Sequence, residues 1–230
     1  PAYPYLSNKG LSIGQYVGFV AEGFFKDQEE IDASPLQTFG TPRPGDVRYK
    51  DINGDGQIDS YDQVPIGYAR LPEISFGFGG TIAYKGFDCS VFFSGAANTS
   101  INLAGYGMWA FYDGLGSNNV LKEYYDNRWT PGRTDAKYPA IDVGNNPNNF
   151  VTSTVWMKNG NYLRLRNAEI GYTFPDAVIN KLHISGLRLF VNGTNLLTFD
   201  YIKIIDPESN DGTGAYPLQR SVNIGVQIDF

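Results

Sequence analysis

Twelve consecutive residues, Asp51 to Asp62, carry the most specific chemical pattern in the chain. Side-chain oxygens fall at positions 1, 3, 5, 9 and 12 of this run, at Asp51, Asn53, Asp55, Asp59 and Asp62. Gln57 at position 7 can offer its backbone carbonyl, and Gly56 stands at position 6, where a calcium loop turns sharply. Calcium is a hard cation that takes about six to eight oxygen ligands. Carboxylates gathered this closely repel one another unless a cation lies between them. The pattern predicts a structural Ca2+ site. It departs from an EF-hand at position 12, where Asp62 replaces the longer Glu and must come closer to bind through both oxygens. The flanks, Pro44-Gly45 and Pro65, read as loop rather than as paired helices. The plainer alternative is an acidic turn that caps its own backbone.

Elsewhere the residue types exclude more chemistry than they suggest. Cys89 and His183 are each alone of their kind, which removes an intrachain disulfide and any two-histidine metal site. No spaced pair of carboxylates stands out as an acid/base couple, so no enzyme is expected. Acidic residues outnumber basic ones, 24 to 18, giving a net charge of -6, and nucleic-acid binding needs the opposite balance. The segment 98–160 is rich in aromatics. A loop of that length is functional or disordered, and aromatic density argues against disorder. Trp109, Tyr112, Tyr125 and Trp129 are its candidates for stacking on a substrate or anchoring a partner. The competing reading packs them into a small core of the loop's own.

The elements that must position these groups are strands. The chain has 42% hydrophobic and 18% charged residues, with 27 Gly, 16 Tyr and 15 Phe, a balance that suits strands and turns. No basic region followed by an apolar run opens the sequence, and no stretch approaches the ~18 apolar residues of a membrane helix. Ser221 to Phe230 alternates strictly, with Val222, Ile224, Val226, Ile228 and Phe230 on one face. Its length matches one bilayer crossing by a tilted strand, about 9–11 residues. Ile74 to Tyr84 repeats the pattern, turns at Lys85-Gly86, and continues from Phe87. Tyr162 to Phe174 and Leu187 to Phe199 form a third pair, and a slip of phase near Asn167 predicts a bulge. Ile13 to Phe25 is a weaker strand candidate.

Connection lengths then decide the class. Short links, 85–86 and 175–186, alternate with long ones, 26–73, 98–161 and 200–218. Outer-membrane barrels have short periplasmic turns and long external loops. Tyr84, Phe87, Tyr172, Phe174 and Phe230 gather at the short-turn end, where an interfacial girdle belongs. The sequence is therefore expected to be all-β, with antiparallel transmembrane β-barrel strands and long extracellular loops. Within it lie an extracellular calcium-type loop (44–66), a long extracellular loop (98–160) and a terminal barrel strand (219–230). The alternative is a secreted calcium-stabilised β-sandwich that binds carbohydrate and hides Val222, Ile224, Val226 and Ile228 against a second sheet.

Four stretches carry a family resemblance: Pro44 to Tyr49 leading into the acidic loop; Asn127-Arg128-Trp129-Thr130-Pro131; Asn161 to Asn167 continuing through Gly171 to Pro175; and Leu187 to Thr198 with the ending Tyr216 to Phe230. In this order and spacing the chain, from about Ile13 to its last residue, resembles the C-terminal part of a SusC/RagA-type TonB-dependent outer-membrane transporter of Bacteroidetes. The resemblance implies a large plugged barrel of about 22 strands, of which about five or six fall here. It also implies residence in the bacterial outer membrane and import of a glycan oligosaccharide or peptide. The implied partners are the rest of the barrel and its plug, a SusD-like surface lipoprotein, and TonB reached through an N-terminal part outside these residues.

Overall fold

A computed structural model describes residues 7–105, 108–111, 119–133, 135–143, 146–209 and 216–230. They fall into two compact units. One comprises residues 73–98, 160–201 and 217–230 and is a single antiparallel sheet. Its strands are β1 (Ile74–Tyr84), β2 (Phe87–Ala97), β3 (Tyr162–Thr173), β4 (Gly186–Asp200) and β5 (Ser221–Asp229). They pair in the order β5-β4-β3-β2-β1, so each strand lies beside its neighbour in sequence. This up-and-down arrangement follows from alternation in every strand together with links that need only reverse direction.

Lys85 (φ 49°) and Gly86 (φ 86°) join β1 to β2, both in the left-handed region that a tight two-residue hairpin turn demands. The pairing register shifts between Leu165 and Asn167 against both neighbours of β3. This is the bulge anticipated from the phase slip. It returns Ala168 and Ile170 to the face already occupied by Leu163 and Leu165. The link from β3 to β4 contains a short helix, Asp176–Leu182, ended by His183 in the left-handed conformation.

The other unit is drawn from residues 1–72, 99–159 and 202–216. Its strands are short. Val17–Gly18 pairs with Val64–Pro65, Ala21–Phe24 with Val47–Tyr49, and Ser100–Asn102 with Met157–Asn159, all antiparallel. Leu36–Gln37 pairs in parallel with Gln57–Ile58. Packing holds these pieces more than pairing does. One cluster gathers Ile101, Leu103, Met108, Tyr124, Tyr138 and Trp156, and another Phe19, Val47, Tyr49 and Ile58. The Tyr124 and Tyr138 rings stack at 5.0 Å, each 6.2 Å from the fully buried Trp156, whose indole N–H donates to the Asn149 carbonyl at 2.9 Å.

One expectation changes. Ile13 to Phe25 is not a strand of the large sheet: it supplies only the short strands Val17–Gly18 and Ala21–Phe24 of the second unit. Residues 98–160, expected as one long loop, build a core largely of their own with Ile202 and lend Val151 and Val155 to the cluster of Phe19, Val47, Tyr49 and Ile58. The undecided segment from Val120 to Trp129 holds a helix, Lys122–Asn127. Among the described residues, no helix is long and apolar enough to cross a membrane, which says nothing of strands.

Candidate functional site: a two-faced wall, an acidic loop and an aromatic pocket

Register assigns the faces of the sheet. Phe78 pairs with Phe93, Ile82 with Cys89, Ile170 with Cys89 and Val191, Val191 with Ile224, and Leu189 with Val226. One face of all five strands is thus a continuous apolar surface. The Phe78 and Phe93 rings stack on it at 5.2 Å. Among the described residues no protein layer covers it: Ile82 is 76% and Ile224 is 82% exposed. A soluble sandwich would bury these residues. A contiguous apolar area of this kind marks contact with lipid or protein, and strand alternation with lipid outside is the barrel pattern. At the short-turn end Phe87 packs on Tyr172 at 4.5 Å and Tyr172 on Phe174 at 5.0 Å, where the aromatic girdle was expected.

The opposite face is mainly polar, with Ala83, Phe92, Ala96 and Phe190 among its apolar residues. Arg188 on β4 bonds both Asp88 on β2 and Glu169 on β3. Glu169 also accepts from Asn192 Nδ2 at 3.2 Å, and Asn192 Oδ1 accepts from Asn223 Nδ2 at 3.0 Å. Arg166 donates to Ser94 Oγ and Asn195 Oδ1, each at 3.2 Å. The ion triad was missed in the sequence. Its signal was available: Asp88, Glu169 and Arg188 all stand at polar-face positions of strands that carry few charges.

The acidic run lies in the second unit, between the strands Val47–Tyr49 and Val64–Pro65. Asp51 accepts from the N–H groups of Gly54 (2.6 Å) and Gly56 (2.9 Å). Asn53 Oδ1 accepts from the Asp55 N–H and Asp55 Oδ1 from the Gln57 N–H, both at 2.9 Å. Asp59 accepts from the Tyr61 N–H at 2.8 Å. Asp62 is fully buried and accepts from the N–H groups of Ile52, Asn53 and Asp59. Gly54 (φ 77°) and Gly56 (φ 83°) supply the left-handed turns. Oxygen-only donors suit a hard cation. In this arrangement, however, backbone N–H groups do the neutralising. Among the described residues no group of three or more His, Cys, Asp or Glu side chains is gathered for a metal ion. A cation here has to share oxygens that already serve the backbone.

Before this run stands a buried polar cluster that the sequence reading also missed. Asp46 accepts from Asn146 Nδ2 (2.9 Å), Asn149 Nδ2 (2.8 Å) and the Arg43 N–H (2.8 Å). Burial holds its carboxyl above the ordinary aspartate range, against the opposing pull of these bonds and of the Arg43 charge. The run of asparagines around residue 146 was the available signal.

The four aromatic candidates separate. Trp109 is half-buried, stacked on Phe150 at 4.6 Å and edge-on to Trp156 at 6.3 Å, within the core packing. Tyr125 is exposed, with the Arg128 guanidinium 3.8 Å over its ring. Trp129 lines a cavity with Gly23, Phe24, Lys26, Asp27 and Arg133 among its neighbours. Tyr112 lies outside the described residues.

No family model matches the chain. Two receptors of Formosa agariphila are similar: TonB-dependent receptor P26 is 32% identical over 96% of this chain, and P3 is 28% identical over 96%. TonB-dependent receptor SusC of Bacteroides thetaiotaomicron is 25% identical over 93% of it. This chain is a segment of a SusC/RagA-type TonB-dependent receptor. It spans 23% of P26 and 20% of SusC, less than a quarter of either relative. The RagAB peptide transporter has the same fold over 94% of the segment, with a TM-score of 0.68 at 21% identity. The open-open state of the RagAB peptide importer gives 0.66. The receptor segment is mostly strands with a few short helices, its five-stranded sheet is antiparallel as expected, and it belongs to the bacterial outer membrane. Its relatives are receptors by name.

Proposed function

We propose that the whole receptor imports a nutrient, a glycan oligosaccharide or a peptide, through the barrel that β1 to β5 help to wall. A SusD-like surface lipoprotein and TonB are its partners in this reading. The supporting observation is the sheet's division into an exposed apolar face and a polar face cross-linked by Arg188, Asp88 and Glu169. A lipid-facing exterior around a wet interior requires that division. A peptide is the cargo named for the RagAB structures. Deleting the receptor gene and following uptake of labelled oligosaccharide and peptide pools tests the reading. Selective loss of one pool, restored by the intact gene, supports it; parental uptake of both pools refutes it.

Exposed Tyr125 under Arg128 is the proposed lipoprotein contact. Tyr125→Asp is expected to lower lipoprotein co-purification, and unchanged recovery removes this residue from the interface. The loop from Asp51 to Asp62 is proposed to take Ca2+ as a structural ion, on the strength of its oxygen-only donors at calcium-loop spacing. The ion would stiffen the loop and carry no chemistry.

A further inference from the structure

The unit that contains the acidic loop also holds a cavity of about 450 Å³, lined by Phe24, Lys26, Asp27, Trp129, Pro131 and Arg133 among others. That volume lies within the span of small-ligand sites, about 300–1,000 Å³. Its aromatic wall is fixed in place. The Trp129 N–H donates to the Tyr138 carbonyl at 2.8 Å. Gly45 presses so closely behind the indole that a Cβ there would sit 2.5 Å from Trp129 Cε3. Arg133 is fixed as well. Its Nε donates to Asp135 Oδ1 at 3.1 Å and its Nη1 to the Asp126 carbonyl. Its Nη2 keeps no partner among the described residues.

The charges of the lining run against those of the chain. Lys26, its side chain 85% exposed, holds its ammonium beside the cavity, 3.4 Å from Asp27 Oδ2. Asp27 spends Oδ1 on the Glu30 N–H at the start of the helix Gln28–Asp32. Two cations therefore line the cavity beside one partly engaged carboxylate, in a chain of net charge -6. A site with surplus donors selects a ligand with surplus acceptors.

We propose that this cavity binds one anionic sugar residue of an imported saccharide, with the ring's C–H face on Trp129 and its acid group on Arg133 Nη2. The proposal rests on the import reading and deepens it by naming the substrate class. An indole face, electron-rich at its centre, attracts the C–H side of a sugar ring. A guanidinium recognises carboxylate or sulfate oxygens through charge-assisted bonds, and Lys26 adds attraction at longer range. A neutral sugar brings Arg133 Nη2 no charged acceptor, and an acidic peptide brings a carboxylate but no saturated ring to cover the indole.

The test uses the full-length receptor purified in detergent and titrated calorimetrically with four probes. These are tri-galacturonate, a 6-sulfated galactotriose, neutral galactotriose and tri-glutamate. Binding of tri-galacturonate, the sulfated sugar or both, well above the neutral sugar, is expected, and the preference between the two identifies the acid group. Arg133→Gln should weaken that binding about tenfold or more, the effect of one lost charge-assisted bond. Trp129→Phe, which keeps an aromatic wall, should weaken it less. Lys26→Gln should weaken it only at low salt. Thermal melts verify that each variant is folded. Equal affinity for charged and neutral sugars overturns the proposal. So does binding of none of the probes, tri-glutamate binding that depends on Arg133, or anionic-sugar binding that both variants leave unchanged. A receptor that still imports saccharide in cells while failing these tests loses the cavity assignment alone; one that imports neither saccharide nor peptide loses the import reading.

Discussion

Arg188 on β4 grips Asp88 on β2 across the whole width of the strand between them, with Nε 3.2 Å from Oδ1 and Nη2 2.5 Å from Oδ2. Gly171 on β3 lies directly beneath. A Cβ there would fall 2.3 Å from Arg188 Nη2 and 2.7 Å from Asp88 Oδ1. The absence of a side chain at one position thus lets two strands that are not neighbours be tied together.

Gly171→Ala is expected to displace the guanidinium and leave Asp88 and Glu169 without their shared cation. The cost should be small, as for an ion pair on a solvated face. Thermal unfolding of the purified receptor measures it. Adding Gly171→Ala to Arg188→Gln should cost almost nothing further, because both remove one interaction. Fully additive losses show that Gly171 matters for another reason.

The assignment of faces predicts an asymmetry between adjacent residues. Ile224→Lys puts a charge on the apolar face in the middle of β5, opposite Val191. It should cost about 2–4 kcal/mol in folding into lipid vesicles. Asn223→Lys, one residue away on the polar face, should cost well under half of that. Equal costs would mean that both faces meet the same solvent.

The acidic loop separates two roles by residue. If Ca2+ binds with a dissociation constant of about 10⁻⁴ M, 1 mM Ca2+ should stabilise the unit by about 1.4 kcal/mol. Asp55→Ala should abolish that shift while leaving the calcium-free melting temperature nearly unchanged, since Asp55 is exposed. Asp62→Asn should lower the melting temperature with or without Ca2+, because its buried carboxylate holds three backbone N–H groups. A calcium response that is absent in the native receptor leaves a self-capped turn.

Asp46 sets a pH dependence of unusual sign for a carboxylate. Its pKa is raised by folding, so the folded state holds the proton more tightly than the unfolded chain. The stability it contributes is complete below the ordinary aspartate value of 3.8 and is lost as pH rises through the raised folded value. Asp46→Asn keeps an acceptor for Asn146 and Asn149 but turns an N–H donor toward the Arg43 N–H. It should cost about 1–3 kcal/mol near neutral pH. The gap from the native receptor should widen as pH falls, measured by paired melts across the acidic range. A gap that narrows on acidification contradicts the buried-charge account.

The sheet was legible because alternation is a local signal. β5, the Lys85-Gly86 turn and the bulge at Asn167 can each be read within about a dozen residues. The second unit was not legible in this way. Its strands run two to four residues, too short to show a period. Its cores join Phe19 to Tyr49 and Leu103 to Tyr138 and Trp156, across separations that no window spans. That is why Ile13 to Phe25 reads only as a weaker strand candidate and residues 98–160 only as one long loop. The acidic run was visible as a motif, but only coordinates show each carboxylate bonded to backbone. Trp129 stood out by residue type. Arg133, its partner in the cavity, did not, because a lone arginine in a loop resembles any other.

Among the described residues β1 and β5 are each hydrogen-bonded along one side only. In water the outward N–H and C=O groups would be satisfied at little cost, whereas in hydrocarbon every one left unmet costs several kcal/mol. The sheet therefore cannot settle in the bilayer strand by strand. It has to be delivered with both margins already matched or matched at once, so insertion becomes a collective event with no stable halfway state. Substitutions that weaken the outer row of β5 should then reduce how many receptors reach the membrane, while leaving those that do arrive fully competent.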